Sequence, residues 1–281
     1  MGHHHAHHMP TGPISPADER ILRRVTSVAI GVSIILVLLK TGGWTYTNAI
    51  SLLSSLADSM FDVLISSINF WAVRYAIKPA DDDHRFGHNS IEDIAGLAQF
   101  AFICGSMLFI VVQSVQHLIE PHPIAVPEYG IGIMLISLVL TTGLVLYQRY
   151  VYKRTRSLIV QADSLHYLGD VLMNISILVS FWAAMQWGVP WLDPILAILI
   201  AIYVIKEAWE VGGRAYNNLM DKEMPDAEKA KIKAILNGYS EVKGIHNMKT
   251  RYSGSKPFMQ MHVELSKSLS FEEAFSRNGE G

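Results

Sequence analysis

The stretch Leu56-Ala57-Asp58-Ser59-Met60-Phe61-Asp62 places two carboxylates four residues apart inside a long apolar run. In a helix that spacing puts both on one face, one turn apart. His166 and Asp170 repeat the spacing inside a second apolar run. An ionisable side chain at membrane depth costs roughly 2.5–3.5 kcal/mol on insertion scales, so it normally faces a partner or a wet cavity. If the two helices meet, the pairs converge as three carboxylates and one imidazole, a tetrahedral set for a divalent metal.

The composition around these pairs is that of a membrane protein. The 281 residues are 50% hydrophobic and 17% charged, with mean hydropathy +0.25, less charge than a soluble chain of this length carries. Apolar runs lie near residues 25–46, 49–76, 91–119, 131–150, 157–187 and 194–211. Each is long enough to cross the hydrocarbon core, which takes roughly 20 helical residues. Pro121, Pro123 and Pro127 break the chain after the third run, and Gly188 and Pro190 turn it after the fifth. The expected fold is therefore an α-helical polytopic membrane protein of six transmembrane helices over 20–217. A His-rich segment precedes it over 1–19, and a small, incomplete α+β tail follows over 218–281. Residues 1–9 read as a tag-like segment to be left out of fold reasoning, or as a native metal-gathering tail. Segments 41–48, 120–130 and 188–193 contain no Lys or Arg, whereas the N-terminal segment, the Arg85 loop, the Lys153 to Arg156 loop and the tail hold nearly all of them. The positive-inside rule then puts both termini in the cytoplasm, in a multi-pass protein of the inner (plasma) membrane.

Composition also excludes classes. A net charge of −2 leaves no nucleic-acid footprint. A lone cysteine, Cys104, excludes an internal disulfide framework and argues against a thiolate-rich copper or iron–sulfur site. The two ionisable pairs admit other readings: helix–helix hydrogen bonding, or a proton relay without metal. One His with three Asp favours Zn2+, because Mg2+ prefers more oxygens and retained water. Asp163, one turn before His166, reads either as an ion guide at the cytoplasmic mouth or as a plain polar helix end. A metal-dependent intramembrane enzyme would need an open metal position and a general base. Four protein ligands leave no open position, and no HExxH pattern occurs. A non-transporting metal sensor or scaffold is the third class.

In the loop ADDDHRFGH, Asp81, His84 and His88 set a carboxylate and two imidazoles at spacings of three and four; a solvated acidic loop has the same look. In the tail, 226–236 reads as an amphipathic helix, 245–252 and 258–265 as strands, and 253–257 as the turn between them. Met259, Met261, Val263 and Leu265 share one strand face, and Gln260, His262 and Glu264 the other. Ser270 and Glu273 form a capping box for a further short helix.

From about Arg23 to Phe275 the chain resembles the cation diffusion facilitator family. LADSMFD resembles its second-helix motif, and Ala162-Asp163-Ser164-Leu165-His166-Tyr167-Leu168-Gly169-Asp170 resembles its fifth-helix motif. The resemblance implies a homodimeric antiporter of divalent metal for protons. Asp58, Asp62, His166 and Asp170 would be its transport site, similar to that of bacterial zinc and cadmium exporters. Export of Fe2+, Mn2+, Co2+ or Ni2+ is the alternative. The resemblance further implies a second zinc site at Asp81, His84 and His88. It also implies a metallochaperone-like αββαβ tail with His246 and His262 as ligands of a partial site, Phe275 standing where a third ligand belongs. Proton coupling would fall on His166, Asp62 and Asp170. Ser90 stands where related bacterial sequences often carry a basic residue, which removes the partner a salt link to Asp221 would need.

Overall fold

Ser15 opens the first helix. Its hydroxyl accepts the Asp18 backbone N–H at 3.1 Å, and Pro16 takes the first helical position, where a missing N–H costs nothing. The computed structural model describes residues 15–47, 50–120, 128–187, 189 and 191–266. Its elements are α1 (Pro16–Thr47), α2 (Ile50–Ala76), α3 (Ser90–Ile119), α4 (Glu128–Thr155), α5 (Leu158–Trp187), α6 (Leu192–Leu219), α7 (Asp226–Asn237), β1 (Val242–Ser253) and β2 (Lys256–Leu265).

Five of these helices, α1 to α5, are long and apolar enough to cross a membrane. The second half of α6 carries Lys206, Glu207 and Glu210, which lowers its apolarity below theirs. It nevertheless runs antiparallel to α3 over the full thickness. Ala215 and Gly212 lie against Gly96 and Phe100 at one end, while Asp193 and Pro194 share a cavity wall with His117 at the other. That stretch rises about 30 Å, the depth of the hydrocarbon core. A seam of small residues (Ala197, Ala201, Ala208, Gly212 and Ala215) lets the two backbones approach. The bundle thus has six crossings, the sixth held by packing rather than by hydropathy. Leu38, Leu108 and Val139 face outward from it, an apolar surface suited to lipid.

At the centre lies α5. It supplies Leu158, Ala162 and Leu165 to an apolar core with α3 and α6. Ile159 and Val160 join a second core with α1, α2 and α4, and Tyr167 and Val171 a third with α1 and α4. A helix buried on all sides shows little amphipathic contrast, so the hydropathy of 157–187 marked a crossing but not its central place. Asp163 sits in this buried helix and is only 3% exposed. It accepts from Asn69 of α2 at 2.8 Å, Gln99 of α3 at 3.3 Å and Gln148 of α4 at 2.5 Å. It is neither an ion guide nor a helix end but a four-helix tie.

The tail docks through the first turn of α3. Glu92 accepts from the Ser157 hydroxyl and, at 3.0 Å, from the Leu158 backbone N–H that starts α5. Its other oxygen takes the Ser255 N–H at 3.0 Å. Asp93 accepts from Asn218 of α6 at 2.8 Å and from the Gly254 N–H at 2.6 Å. Two adjacent acids thus hold the starts of α3 and α5, the end of α6 and the hairpin turn. Gly254 is required there: its φ is +58, and a Cβ would fall 2.7 Å from the Asn89 carbonyl oxygen. Among the described residues the tail comprises α7 and one antiparallel hairpin with His246 opposite His262. Its strands begin earlier than the sequence patterns suggest, at Val242 and Lys256. The capping box at Ser270 and Glu273, Phe275 and the prolines after α3 lie outside the described residues.

Replacing Asp163 by Ala leaves three buried amide donors without their acceptor, each costing about 1–3 kcal/mol. We expect Asp163→Ala to lower the Tm of the detergent-solubilised protein by more than Ala substitution of exposed Asp82 in a parallel melt.

Candidate metal centre

The site is assembled by a polar seam between α2 and α5. Asp62, Ser66 and Asn69 stand at i, i+4 and i+7, the positions that share a helix face. Asp62 Oδ1 meets His166 Nε2 at 3.0 Å, Ser66 Oγ meets the Tyr167 hydroxyl at 2.9 Å, and Asn69 Nδ2 donates to Asp163 at 2.8 Å. A slip of α2 along α5 would break all three contacts at once. The seam therefore fixes the register that brings the two sequence pairs together.

His166 is buried, with the Phe102 ring edge-on at 5.7 Å. Its Nε2 faces two carboxylates, Asp62 at 3.0 Å and Asp170 at 3.8 Å. One ligand atom from each of the three residues lies within 4.8 Å of the others. Asp58 stands apart from this cluster and is exposed. A step of four residues turns a helix about 40° beyond a full revolution and carries the side chain about 6 Å along the axis. The sequence set of four is thus three convergent groups plus one carboxylate a turn away on α2.

Lys40 is a site feature that sequence reading missed. Among the apolar residues of α1 it looked like a helix-end marker. In the fold its Nζ donates to the Ser55 carbonyl at 3.0 Å and to Ser59 Oγ at 2.7 Å. There its charge acts on Asp58, Asp62 and Asp170. A lysine at the Lys40-Thr41-Gly42-Gly43 interruption of an apolar run was the available signal, but its partners lie on another helix.

The loop between α2 and α3 folds into a second cluster. His84 Nδ1 lies 3.2 Å from Asp81 Oδ1, and His88 Nε2 lies 3.3 Å from Asp81 Oδ2. The three ligand atoms again fall within 4.8 Å. His88 is buried against the edge of Tyr75, and its Nδ1 has no hydrogen-bond partner. Gly87, at φ +83, makes the turn that returns His88 toward Asp81. The His84 backbone N–H, with help from the two imidazoles, holds the Asp81 carboxyl below the ordinary carboxylate range. An ionised carboxylate beside two imidazoles is a suitable donor set for a zinc-like ion.

In the tail, His246 and His262 are cross-strand neighbours, and His246 Nε2 lies 3.2 Å from Glu264. Gly244 makes room for that pair, since a Cβ there would fall 2.9 Å from Glu264 Oε2. Among the described residues these groups do not close into a three-ligand cluster. Asp221, which Ser90 leaves without a partner from the loop, takes Arg251 of β1 at 2.7 Å instead. The Arg251 guanidinium also lies 5.4 Å from the Phe86 ring and 5.6 Å from that of Phe258.

Six crossing helices with an ionisable cluster buried between two of them, and a small α+β tail, define a polytopic membrane protein with a candidate metal centre inside its bundle. Residues 26–220 match the cation efflux transmembrane domain, and residues 224–276 match the cation efflux protein cytoplasmic domain. The chain belongs to the cation diffusion facilitator family. It is similar to the cation-efflux pump FieF of Salmonella arizonae, of Salmonella choleraesuis and of Salmonella newport. Each is 40% identical over 256 residues, covering 91% of this chain and 85% of the relative. The protein is thus a membrane transporter for divalent metal cation efflux, not an enzyme.

If the loop cluster is an independent site, Asp81→Ala combined with His88→Ala removes one equivalent of bound Cd2+ and leaves the binding at the α2–α5 cluster. Equilibrium binding to detergent-purified protein lacking residues 1–9, whose histidines bind metal themselves, measures this. Unchanged stoichiometry rejects the loop assignment.

Proposed function

We propose that the protein exports Zn2+, and also Cd2+, from the cytoplasm in exchange for protons. Asp62, His166 and Asp170 hold the ion, and Asp58 joins them as α2 moves. The observation that carries this reading is the convergence of one buried imidazole and two half-buried carboxylates on α2 and α5, with a third carboxylate one turn away. An imidazole among carboxylates suits Zn2+ and Cd2+ better than cations that prefer oxygen alone.

Coupling follows from the same atoms. The carboxylates and the His166 ring nitrogen that bind metal are those that bind protons, and a metal ligand must be deprotonated. Loading therefore releases protons, and proton uptake from the opposite side expels the metal. His166, Asp62 and Asp170 are the groups we assign to this exchange. Presentation of the site to one side and then the other is a rocking of helices about a fixed centre, as alternating access requires.

Asp81, His84 and His88 serve as a resident zinc site facing the cytoplasm, beside the docked tail. The chain acts as a homodimer. In support, Ile235, Met259 and Val263 are exposed apolar residues of the tail, a surface suited to a second copy. The arginine-bearing ends of the helices lie with the tail, which supports cytoplasmic termini.

Two measurements test the reading. In sealed vesicles with an internal pH dye, Zn2+ flux should be accompanied by proton movement and lost in Asp62→Ala and Asp170→Ala. Flux at the same rate with no pH change, once charge is balanced by an ionophore, rules out antiport. His166→Asp removes the nitrogen ligand, so Mn2+ should then compete about tenfold better against Zn2+. Unchanged competition among Zn2+, Cd2+ and Mn2+ rejects His166 as the selective ligand; faster wild-type flux of Fe2+, Co2+ or Ni2+ reassigns the substrate.

A further inference from the structure

We propose that Asp193, His117 and Ser176 form a second, weaker site for the departing divalent cation, in a cavity at the end of the bundle away from the tail. The inference rests on the export reading above. The cavity has a volume of about 840 Å3 and lies between α3, α5 and α6. It begins about one turn beyond the cluster on α5 and about two turns beyond it on α3. On α5, Asp170 belongs to the cluster and Met173 lines the cavity. On α3, Phe102 touches His166, and Phe109 lines the cavity. An ion released from Asp170 away from the tail enters this space next.

One wall is polar in a way that packing does not explain. Ser176 is 5% exposed, and its Oγ has no hydrogen-bond partner although it borders the cavity. Asp193, in the first turn of α6, also lines the cavity and leaves Oδ1 buried without a partner. His117, in the last turn of α3, lines the same cavity as Asp193. Buried polar atoms are almost always paired with protein or ordered solvent. A carboxylate within a membrane bundle is costly unless a cation or water meets it. At roughly 30 Å3 per water, the cavity holds a cation with part of its hydration shell.

The donor set defines the ligand and its affinity. One carboxylate, one imidazole and one hydroxyl, completed by water, suit a borderline divalent ion such as Zn2+. They are fewer strong ligands than the buried cluster offers. The site therefore lowers the electrostatic cost of exit without trapping the ion.

The test uses the full chain in vesicles. Asp193→Asn should lower kcat for Zn2+ flux about tenfold while leaving KM within about twofold, the pattern of a step after binding. Asp193→Glu should restore most of the rate, and Cd2+ binding by the detergent-purified variants should stay at the wild-type stoichiometry. Wild-type kcat in Asp193→Asn overturns the proposal, as does Asp193→Glu no faster than Asp193→Asn, or a loss of Cd2+ binding that parallels the loss of flux. A second measurement does not depend on Asp193. Ser176→Cys in a Cys104→Ala background should react with a small cationic methanethiosulfonate added to the side away from the tail. No reaction means that the space is filled by lipid or side chains, and it overturns the proposal. Absence of flux in the wild type rejects the export reading itself, whereas normal flux in Asp193→Asn rejects only this site.

Discussion

At Asp163 four helices share one carboxylate. Amide donors from α2, α3 and α4 converge on it, and its own helix is the central one of the bundle. In lipid there is little hydrophobic force between helices, so packing and interhelical hydrogen bonds must set their relative positions. A buried carboxylate is an exacting tie, because its partners lose their acceptor if any helix shifts. The Asn69 bond is also one rung of the seam that pairs Asp62 with His166. The tie and the metal centre are therefore positioned by the same contact between α2 and α5.

Asp163 differs from the candidate ligands in what its oxygens meet. Both of its oxygens accept from neutral amides, so an ion would have to displace those bonds. Asp62, His166 and Asp170 pair chiefly with one another, and a dication that enters can replace those mutual contacts with stronger ones. Lys40 places its amine at the same depth, hydrogen-bonded to Ser55 and Ser59 of α2, without filling a ligand position.

The tail is attached by hydrogen bonds more than by apolar burial. Glu92 and Asp93 point at the N–H groups of a two-residue turn and at the start of α5. Beside them, Phe86 of the loop cluster lies edge-on to Phe258 of β2 at 6.0 Å, with Arg251 next to both rings. Both acids are buried, so breaking these bonds would strand a carboxylate away from water, which makes the anchoring strong despite the small apolar contact.

The sequence by itself determined the membrane class, because hydropathy and length follow from local composition. It also picked out the candidate residues of both clusters, because spacings of three and four residues mark one face of a helix or a tight loop; the meeting of Asp62 with His166 and Asp170 took the contact between α2 and α5. Tertiary structure alone decided that Asp163 is a tie, that Asp58 stands apart from the other three groups, and that Lys40 faces the centre. Each depends on partners many residues away in the chain, which no local pattern encodes. The sixth crossing lies between these cases: 194–211 reads as an apolar run, Lys206, Glu207 and Glu210 weaken that signal, and the small-residue seam against α3 supplies the packing that holds it. The same holds for Asp221, where the missing basic residue at Ser90 was legible but its replacement, Arg251, came from a strand that only the fold brings near.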